Sequence, residues 1–419
     1  MGDFPAEGSV KPKYDSYCLS NVTSTLLSIL GVENGRTKLP ADVFDGVDTT
    51  GVENVVLFAL DGLGWSEWQR QTSSGFFGKM NERGSAMPIT TVFPSTTSTA
   101  LTTLLTGLTP QEHALIEWYL YLKEADMVIQ TLPFSPAGSR GTDLLLPKVD
   151  PRVLFDGESV FGRLRSEGVM PHSYLNRYIS RSAYSRLVHG ASEVHGYSGL
   201  SDLSVMLTRT LESSKGPSFH YVYWSSVDTL QHLYGPGSEE AHLEANGVSQ
   251  AFKAGLLDRL EGKAAAKTLF VATADHGHVC SPMAKASWLD ARGKLMKSLA
   301  KSATGKTILP WGAPRDVYIR VEDDEVDEVY GYLSDSMAAE ATVVKSADAA
   351  ASGLFGTGNA SQRFPERVGN IMVLPKGKRS VWYRVEGVEP PDLVGQHGGM
   401  HEDEMTIPLA IARASSVVD

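Results

Sequence analysis

Seven residues of this chain combine one hydroxyl group with carboxylate and imidazole groups. The hydroxyl belongs to Thr97, at the end of the run Val-Phe-Pro-Ser-Thr-Thr. The other six residues are three aspartates and three histidines, spread along the chain: Asp61, Asp228, His232, Asp275, His276 and His397. A mixture of carboxylate and imidazole ligands suits zinc, with manganese or iron as alternatives. Two metal ions beside one hydroxyl nucleophile predict phosphoryl-transfer chemistry.

Each of these motifs also has a purely structural explanation when it is taken alone. An Asp-Gly pair after a strand, as at Asp61, is common in turns. Asp228 would serve equally well as a helix-capping residue, and His232 as an exposed histidine. Taken alone, the Asp-His-Gly at Asp275 is a weak indication of a metal site. It is their joint occurrence at the ends of strand-like segments that favours a shared metal site.

Three apolar or aromatic segments lead into the three aspartates. They span residues 54–60, 219–224 and 268–274, and helical patterns around residues 159–167 and 200–213 separate them. Alternating strands and helices predict an α/β protein with a mostly parallel central sheet flanked by helices. Because ligands bind at the carboxyl edge of such a sheet, we expect the aspartates to meet there.

Thr97 lies where a helix is predicted to begin. Residues 98–106 carry leucines at helical spacing and stop at Gly107. The free amides and positive dipole end of that helix would bind a phosphate. A threonine hydroxyl needs a base or a metal to react, and a metal fits better here. The alternative is that Ser95, Thr96, Thr97 and Ser98 only cap a structural helix.

The composition of the chain excludes or disfavours several classes of protein. The chain has 419 residues, 42% of them apolar, which is enough for a large core. Its formal charge of -11 argues against a protein that binds duplex nucleic acid. The two cysteines, Cys18 and Cys280, make neither a disulfide scaffold nor a thiolate metal site. Without a secretory signal or an apolar run long enough to span a bilayer, we expect a cytoplasmic protein with no membrane partner.

The ordered set of motifs resembles the alkaline phosphatase superfamily, and within it the nucleotide pyrophosphatase/phosphodiesterase branch. Residues 92–97, followed by 106–113, resemble the nucleophile segment, and the register places the catalytic threonine at Thr97. The Asp-x-x-x-His at Asp228, with its trailing Tyr-Gly-Pro, resembles a metal motif of the family. Asp275-His276-Gly277 and the Gly-Gln-His-Gly around His397 resemble the two remaining motifs.

The resemblance implies two divalent metal ions, which are usually zinc in the family, and a phosphorylated threonine intermediate. One ion would be held by Asp61, Asp275 and His276, and the other by Asp228, His232 and His397. Attack by Thr97, followed by hydrolysis, would retain the configuration at phosphorus. The implied substrate is a small-molecule phosphate ester or a nucleotide. The sequence leaves the oligomeric state open.

This chain departs from the family pattern close to the nucleophile helix. Trp118 stands where the family has a phosphoryl-binding asparagine, and Ala114 replaces a glycine. Two sets of side chains remain ambiguous at this point. Five aromatic residues would either stack on a substrate or belong to the core: Trp65, Trp68, Trp118, Tyr119 and Tyr121. Two histidines would be either accessory ligands or structural residues: His278 and His401.

A second, smaller unit is predicted between Cys280 and His397. Strand patterns at 316–321, 341–345, 370–374 and 380–385 and an amphipathic helix from Val326 indicate a small inserted α+β lobe at residues 284–385. The core would then comprise residues 1–283 and 386–419. Residues 131–150, rich in Pro, Gly and Ser, would form a loop at the rim of the site.

Two hydrolase functions and one non-catalytic function remain at this stage. We expect a phosphodiesterase or nucleotide pyrophosphatase, with a phosphomonoesterase or phosphonate hydrolase on the same core as the alternative. A sulfatase is disfavoured because the nucleophile segment lacks Cys-x-Pro-x-Arg, and a cofactor-independent mutase because it would use serine. A binding protein that kept the scaffold is disfavoured because Thr97 and all six ligands are present.

Overall fold

Two seven-stranded sheets organise the chain in the computed structural model, which describes residues 8–384 and 392–418. The strands are β1 (Asn54–Leu60), β2 (Ser85–Thr90), β3 (Tyr119–Leu122), β4 (Met127–Gln130), β5 (Ser135–Pro136), β6 (Met170–Asn176), β7 (Glu193–Tyr197), β8 (Ser218–Trp224), β9 (Thr268–Thr273), β10 (Val279–Cys280), β11 (Ser287–Trp288), β12 (Trp311–Ala313), β13 (Asp316–Ile319), β14 (Ala341–Lys345), β15 (Ile371–Pro375), β16 (Val381–Trp382), β17 (Gly395–Gln396) and β18 (Thr406–Arg413).

The α-helices are mostly short and alternate with the strands. They are α1 (Leu19–Ile29), α2 (Trp65–Arg70), α3 (Gly75–Arg83), α4 (Thr97–Thr106), α5 (Pro110–His113), α6 (Val160–Ser166), α7 (Ala183–His189), α8 (Leu200–Ser213), α9 (Ser226–Tyr234), α10 (Glu239–Phe252), α11 (Gly262–Lys267), α12 (Gly293–Ser298), α13 (Val326–Ser336), α14 (Ser346–Ala351), α15 (Phe364–Arg367), α16 (Glu402–Met405) and α17 (Ala414–Val417).

The main sheet has the strand order β2-β18-β9-β1-β8-β6-β7. The five strands from β9 to β7 run parallel to one another, and β18 is antiparallel to both of its neighbours. All seven residues of the central strand β1 are buried, as are all seven of β8. Strands covered by helices on both faces carry such continuous apolar runs. The prediction of a mostly parallel α/β sheet is therefore confirmed.

Aromatic packing holds β1 rigidly in the core. The ring of Phe58 lies with its centroid 4.9 Å from those of Phe76 and Phe252, on helices α3 and α10. Phe270, on the neighbouring strand β9, adds a third ring at 6.0 Å. Offset and edge-to-face aromatic pairs at these distances add to the stability gained by burial. The strand that delivers Asp61 thus has a fixed position.

The carboxyl ends of β1, β8 and β9 lie side by side because the strands pair in register. Leu60 pairs with Trp224, and Ala59 pairs with Thr273. The loop after β1 then packs directly against α9. Gly62 has a φ of +72°, and a Cβ at this position would lie 2.8 Å from the Cα of Asp228. Only glycine fits so close an approach in that backbone conformation.

The second large sheet is antiparallel, with the order β14-β15-β13-β12-β3-β4-β5. Four of its strands come from the predicted lobe and three from residues 119–136, ahead of it. The strand predicted at 380–385 forms β16, which pairs with β11 instead. Residue 385 and the predicted boundary at 386 lie outside the described residues. The division into a core and a lobe at 284–385 stays a prediction.

Two further expectations concern membranes and cysteines. Among the helices in the described ranges, none has the length and apolar character needed to cross a bilayer. Residues 1–7, part of the segment from which we predict no secretory signal, lie outside the described ranges. Cys18 is buried, Cys280 is exposed, and both are free thiols.

Candidate metal centre and active site

All seven predicted site residues lie together at the carboxyl edge of the main sheet. One group forms around His276, whose Nε2 atom lies 3.5 Å from Asp61 Oδ1 and 3.5 Å from Asp275 Oδ2. The hydroxyl of Thr97 lies 3.0 Å from the same nitrogen. Asp61 follows β1 directly, and Asp275 follows β9 by two residues. The residues that the resemblance assigns to one metal ion are therefore brought together, next to the proposed nucleophile.

A second group forms around Asp228 on α9. Its Oδ1 atom lies 3.4 Å from His232 Nε2 and 3.9 Å from His397 Nε2. The two imidazole nitrogens lie 3.2 Å from each other. Asp228 and His232 share one face of the helix because they are four residues apart. The rings of His276 and His397 stack with their centroids 3.6 Å apart, which joins the two groups.

Backbone carbonyls fix the tautomers of the three histidines. His232 Nδ1 lies 2.8 Å from the carbonyl oxygen of Gly395. His276 Nδ1 lies 3.1 Å from the carbonyl oxygen of Gly277, and His397 Nδ1 lies 3.0 Å from that of Ser95. A carbonyl oxygen only accepts, so each Nδ1 must carry a proton, and in the neutral imidazole each Nε2 then presents a lone pair. Thr97 therefore donates its hydroxyl proton to His276 Nε2. The lone pairs of His232 and His397 face each other at 3.2 Å and repel unless a cation lies between them.

Asp61 and Asp275 are each held by one carboxylate oxygen, and all three aspartates have another oxygen with no hydrogen-bond partner among the described residues. Asp61 Oδ2 accepts from the Tyr223 hydroxyl, and Asp275 Oδ1 accepts from the backbone N–H groups of Gly62 and His276 at 3.0 Å. Among the described residues, no hydrogen-bond partner reaches the buried Asp61 Oδ1, Asp228 Oδ1 or Asp275 Oδ2. Buried polar atoms without partners are rare in proteins and call for an explanation such as a bound ion. The donor set therefore fits divalent cations.

The electrostatics of the carboxylates also require positive charge. Burial, followed by the charges of Asp275 and Asp228, raises the pKa of Asp61 well above its ordinary value. Burial also acts to raise the pKa of Asp228, but the imidazoles of His232 and His278 outweigh it, and this pKa is lowered. Several carboxylates packed in a dry site are stable as anions only when cations neutralise them.

His278 is a site residue whose role the sequence left open. Its ring is buried, and its Nε2 atom lies 3.2 Å from Asp228 Oδ1. Within the described part of the chain, neither ring nitrogen has an aligned hydrogen-bond partner. Its ligand atom falls in one group with those of Asp228, His276 and His397. By contrast, His401 is structural, because its Nδ1 accepts the N–H of Asp403 at the start of α16.

Helix α4 begins at Thr97 and is not capped by the hydroxyls that precede it. Thr96 is the N-cap residue, yet its side chain makes no capping hydrogen bond. The Ser95 hydroxyl donates to the Gly399 carbonyl at 2.8 Å, and the Ser98 hydroxyl has no partner among the described residues. The alternative in which these residues only cap a helix therefore loses its support. The first-turn amides stay available for an anion beside Thr97.

A cavity of about 400 Å³ opens onto the nucleophile. Thr97, Asp228, His232 and His397 line it together with Trp118, Tyr119, Gln130, Trp382 and Gln396. The rings of Tyr119 and Trp382 lie 5.8 Å apart and form an aromatic wall. Of the aromatic residues singled out in the sequence, Trp118 and Tyr119 thus face the site. The others, Trp65, Trp68 and Tyr121, pack in or against the hydrophobic core.

Sequence reasoning missed a pair of buried carboxyl groups directly behind the site. Glu117 and Asp316 are fully buried, and a Cβ added at Gly398 would lie 2.7 Å from Asp316 Oδ1 and 3.4 Å from Glu117 Oε1. Gly398 follows His397, so this pair supports the loop that carries a proposed ligand. Burial raises the pKa of Glu117 to about 8. Burial and the neighbouring Glu117 carboxylate raise the pKa of Asp316 well above its ordinary value.

The chain matches one protein-family profile and is similar to solved structures. The profile of the family described as type I phosphodiesterase/nucleotide pyrophosphatase matches residues 55–400, a range that includes all seven site residues. Murine ectonucleotide pyrophosphatase/phosphodiesterase 5, solved as an inactive variant in complex with AMP, is similar with a TM-score of 0.64 and 16% identity. That match covers 85% of this chain and 87% of the murine chain.

The human ectonucleotide pyrophosphatase/phosphodiesterase 5 gives the same coverage, with a TM-score of 0.62 and 15% identity. No curated protein sequence matches the chain. At these identities the structural matches show the fold alone, which this chain shares with the two ectonucleotide pyrophosphatase/phosphodiesterase 5 proteins. The profile covers most of the chain and shows the family. The chain is therefore a member of the type I phosphodiesterase/nucleotide pyrophosphatase family and a metal-dependent hydrolase of that type.

Proposed function

We propose that this enzyme hydrolyses small phosphodiesters or nucleotides by way of a phosphorylated Thr97, at a site that holds two zinc ions. Manganese and iron are the alternative metals. One observation carries the proposal: three buried aspartate oxygens, unpartnered within residues 8–384 and 392–418, converge with three imidazole Nε2 atoms beside one hydroxyl group. Such a set of donor atoms is suited to binding cations beside a phosphate ester.

The proposed ligands form two sets. Asp61, Asp275 and His276 would hold one ion, and their ligand atoms all lie within 4.8 Å of one another. Asp228, His232 and His397 would hold the other, with His278 beside Asp228. When bound, the two ions would stabilise the attacking and leaving oxygens of an in-line displacement.

The protein's own groups would position the reacting atoms. Thr97 Oγ1 attacks phosphorus, the leaving group departs from the opposite side, and the bond from Thr97 to phosphorus forms. Water then breaks that bond, and two inversions retain the configuration. The uncapped amides at the start of α4 would hold the phosphoryl oxygens, because a helix N-terminus favours an anion. They would replace the asparagine that the family uses where this chain has Trp118.

The walls of the cavity favour a diester or a nucleotide over a simple monoester. Among the described residues that line it, none is lysine or arginine. A monoester carries three free phosphoryl oxygens and gains from additional cations, whereas a diester needs room for a second substituent. Trp118, Tyr119 and Trp382 would provide a stacking surface for a base. The bound AMP in the murine relative supports a nucleotide substrate.

The direct test compares bis-p-nitrophenyl phosphate, p-nitrophenyl phosphate and a dinucleotide as substrates of the zinc-loaded enzyme. We expect the diester and the dinucleotide to be the better substrates. Faster turnover of the monoester would favour the alternative function, a phosphomonoesterase on the same core. Burst kinetics and trapping of the phosphorylated chain, followed by mass spectrometry, would locate the phosphoryl group at Thr97 or elsewhere.

Two further proposals concern the partners and the cellular location of the protein, and both rest on the sequence. The formal charge of -11 supports small-molecule phosphate esters or nucleotides as partners and disfavours duplex nucleic acid. A cytoplasmic location stays a prediction from the sequence. Fractionation of the cells that produce the protein would test it.

A further inference from the structure

A second cluster of metal-ligand side chains lies on the main sheet, away from the catalytic centre. It consists of His172 on β6 and of Glu193 and His195 on the edge strand β7. We propose that these three residues bind a third divalent cation of the zinc type, which fastens β7 to the sheet. This site is independent of the proposed function.

Strand register places the three side chains on the same face. His172 pairs with Glu193, and Tyr174 pairs with His195, in the parallel ladder of β6 and β7. Residues that pair in register, and those two positions further along, point to one side of a sheet. The arrangement therefore follows from backbone pairing and does not depend on chance side-chain rotation.

The distances between the ligand atoms match a zinc site. His172 Nδ1 lies 3.1 Å from His195 Nε2 and 3.4 Å from Glu193 Oε2. With bonds of 2.0–2.1 Å from zinc to nitrogen or oxygen, tetrahedral ligand atoms lie about 3.3 Å apart. All three ligand atoms lie within 4.8 Å of one another. One cation can therefore contact all three without movement of the backbone.

Ring stacking holds both imidazoles in this orientation. His172 stacks on the buried His220 with a centroid distance of 4.7 Å, and His195 stacks on Tyr174 at 4.6 Å. The side chain of His172 is only 9% exposed, whereas that of Glu193 is 54% exposed. The site is thus rigid on the inner side and open on the outer side, where a cation can enter and water can complete its coordination.

The cluster is well separated from the catalytic centre. His172 is in register with His220 on β8, which is in register with Val56 on β1. Asp61 follows Val56 by five residues, which corresponds to roughly 16 Å along an extended strand. The two sites therefore share no ligands, and a change at one can be measured without damage to the other.

Equilibrium dialysis of the full chain at saturating free zinc, followed by elemental analysis, tests the proposal. We expect the wild-type chain to hold one equivalent more than the His195→Ala and Glu193→Ala chains. Both variants should hydrolyse bis-p-nitrophenyl phosphate at the wild-type rate. Asp61→Asn, which alters the catalytic centre, should keep the additional equivalent. His242→Ala, a change at a half-exposed histidine elsewhere, is the matched control and should also keep it.

A cobalt titration gives a second readout. The difference spectrum between the wild-type chain and His195→Ala should show the intense visible bands of tetrahedral cobalt. Equal zinc content in the wild-type chain and both β7 variants would overturn the proposal, and so would a cobalt difference spectrum without those bands. In either case His172 and His195 would be joined only by a hydrogen bond.

Discussion

The buried carboxyl pair behind the metal centre makes the substitution Glu117→Gln informative. Glu117 is fully buried, and its Oε2 atom accepts the N–H of Trp118 at 2.5 Å. Glutamine has the same shape as a protonated glutamate and can keep this hydrogen bond. The variant therefore keeps the shape of the side chain and removes its ability to ionise, beside Asp316 and under the loop of His397.

The magnitude follows from the pKa of Glu117, which burial raises from 4.5 to about 8. Below about pH 4.5 the folded and unfolded chains both hold this proton, and the full stability is present. Between about pH 4.5 and 8 the unfolded chain loses the proton while the folded chain keeps it. The free energy of unfolding then falls by ~1.4 kcal/mol per pH unit, up to about 5 kcal/mol. Glutamine does not ionise, so the free energy of unfolding of the variant does not fall in this way.

The assay is urea unfolding of the metal-free chain in EDTA at about pH 5 and about pH 8. We expect Glu117→Gln to gain stability relative to wild type between these two values, by up to about 4 kcal/mol. Glu82→Gln, at a glutamate whose side chain is 64% exposed, is the matched control and should show no such change. If the free energies of unfolding of wild type and Glu117→Gln differ by the same amount at both pH values, Glu117 is not protonated in the folded chain and the prediction is wrong.

The remaining predictions concern activity. Thr97→Ala with its metals retained should lower kcat by about 10³-fold or more, and unchanged hydrolysis would reject Thr97 as the nucleophile. His278→Ala should weaken metal binding by about 10- to 100-fold, as measured by titration, whereas a purely structural His278 would affect only the melting temperature. Trp118→Ala should raise KM for a dinucleotide by about 10-fold and leave KM for a small alkyl diester unchanged. EDTA should abolish activity and zinc should restore it, so activity that survives chelation would contradict the scheme.

The part of the site that lies on strand ends and one helix start could be predicted from the sequence. The continuous apolar run before Asp61 marked β1, and leucine spacing placed the start of α4 at Thr97. These signals are local, because the spacing of apolar residues and a few residues at its start and end determine each element. Parallel register then brought the strand ends together, as expected for a sheet of this class.

The second sheet could not be predicted in the same way. Its two contributing segments meet where Gly312 pairs with Tyr119, and no local pattern links positions so far apart in sequence. The same long-range pairing brings Glu117 beside Asp316 and places Trp118 in the cavity wall. His278 was ambiguous because a buried histidine near a metal motif looks the same in sequence whether it binds a metal or packs.

The position of β18 has a consequence for how the chain folds. This strand, Thr406–Arg413, is the last strand among the described residues, yet it lies inside the main sheet between β9 and β2. A chain in which β18 has not yet paired leaves β9 with an open edge and β2 without its neighbour in the sheet. Such an edge is a template for wrong pairing with other chains. Until β18 pairs, the folding chain therefore exposes this edge to other chains.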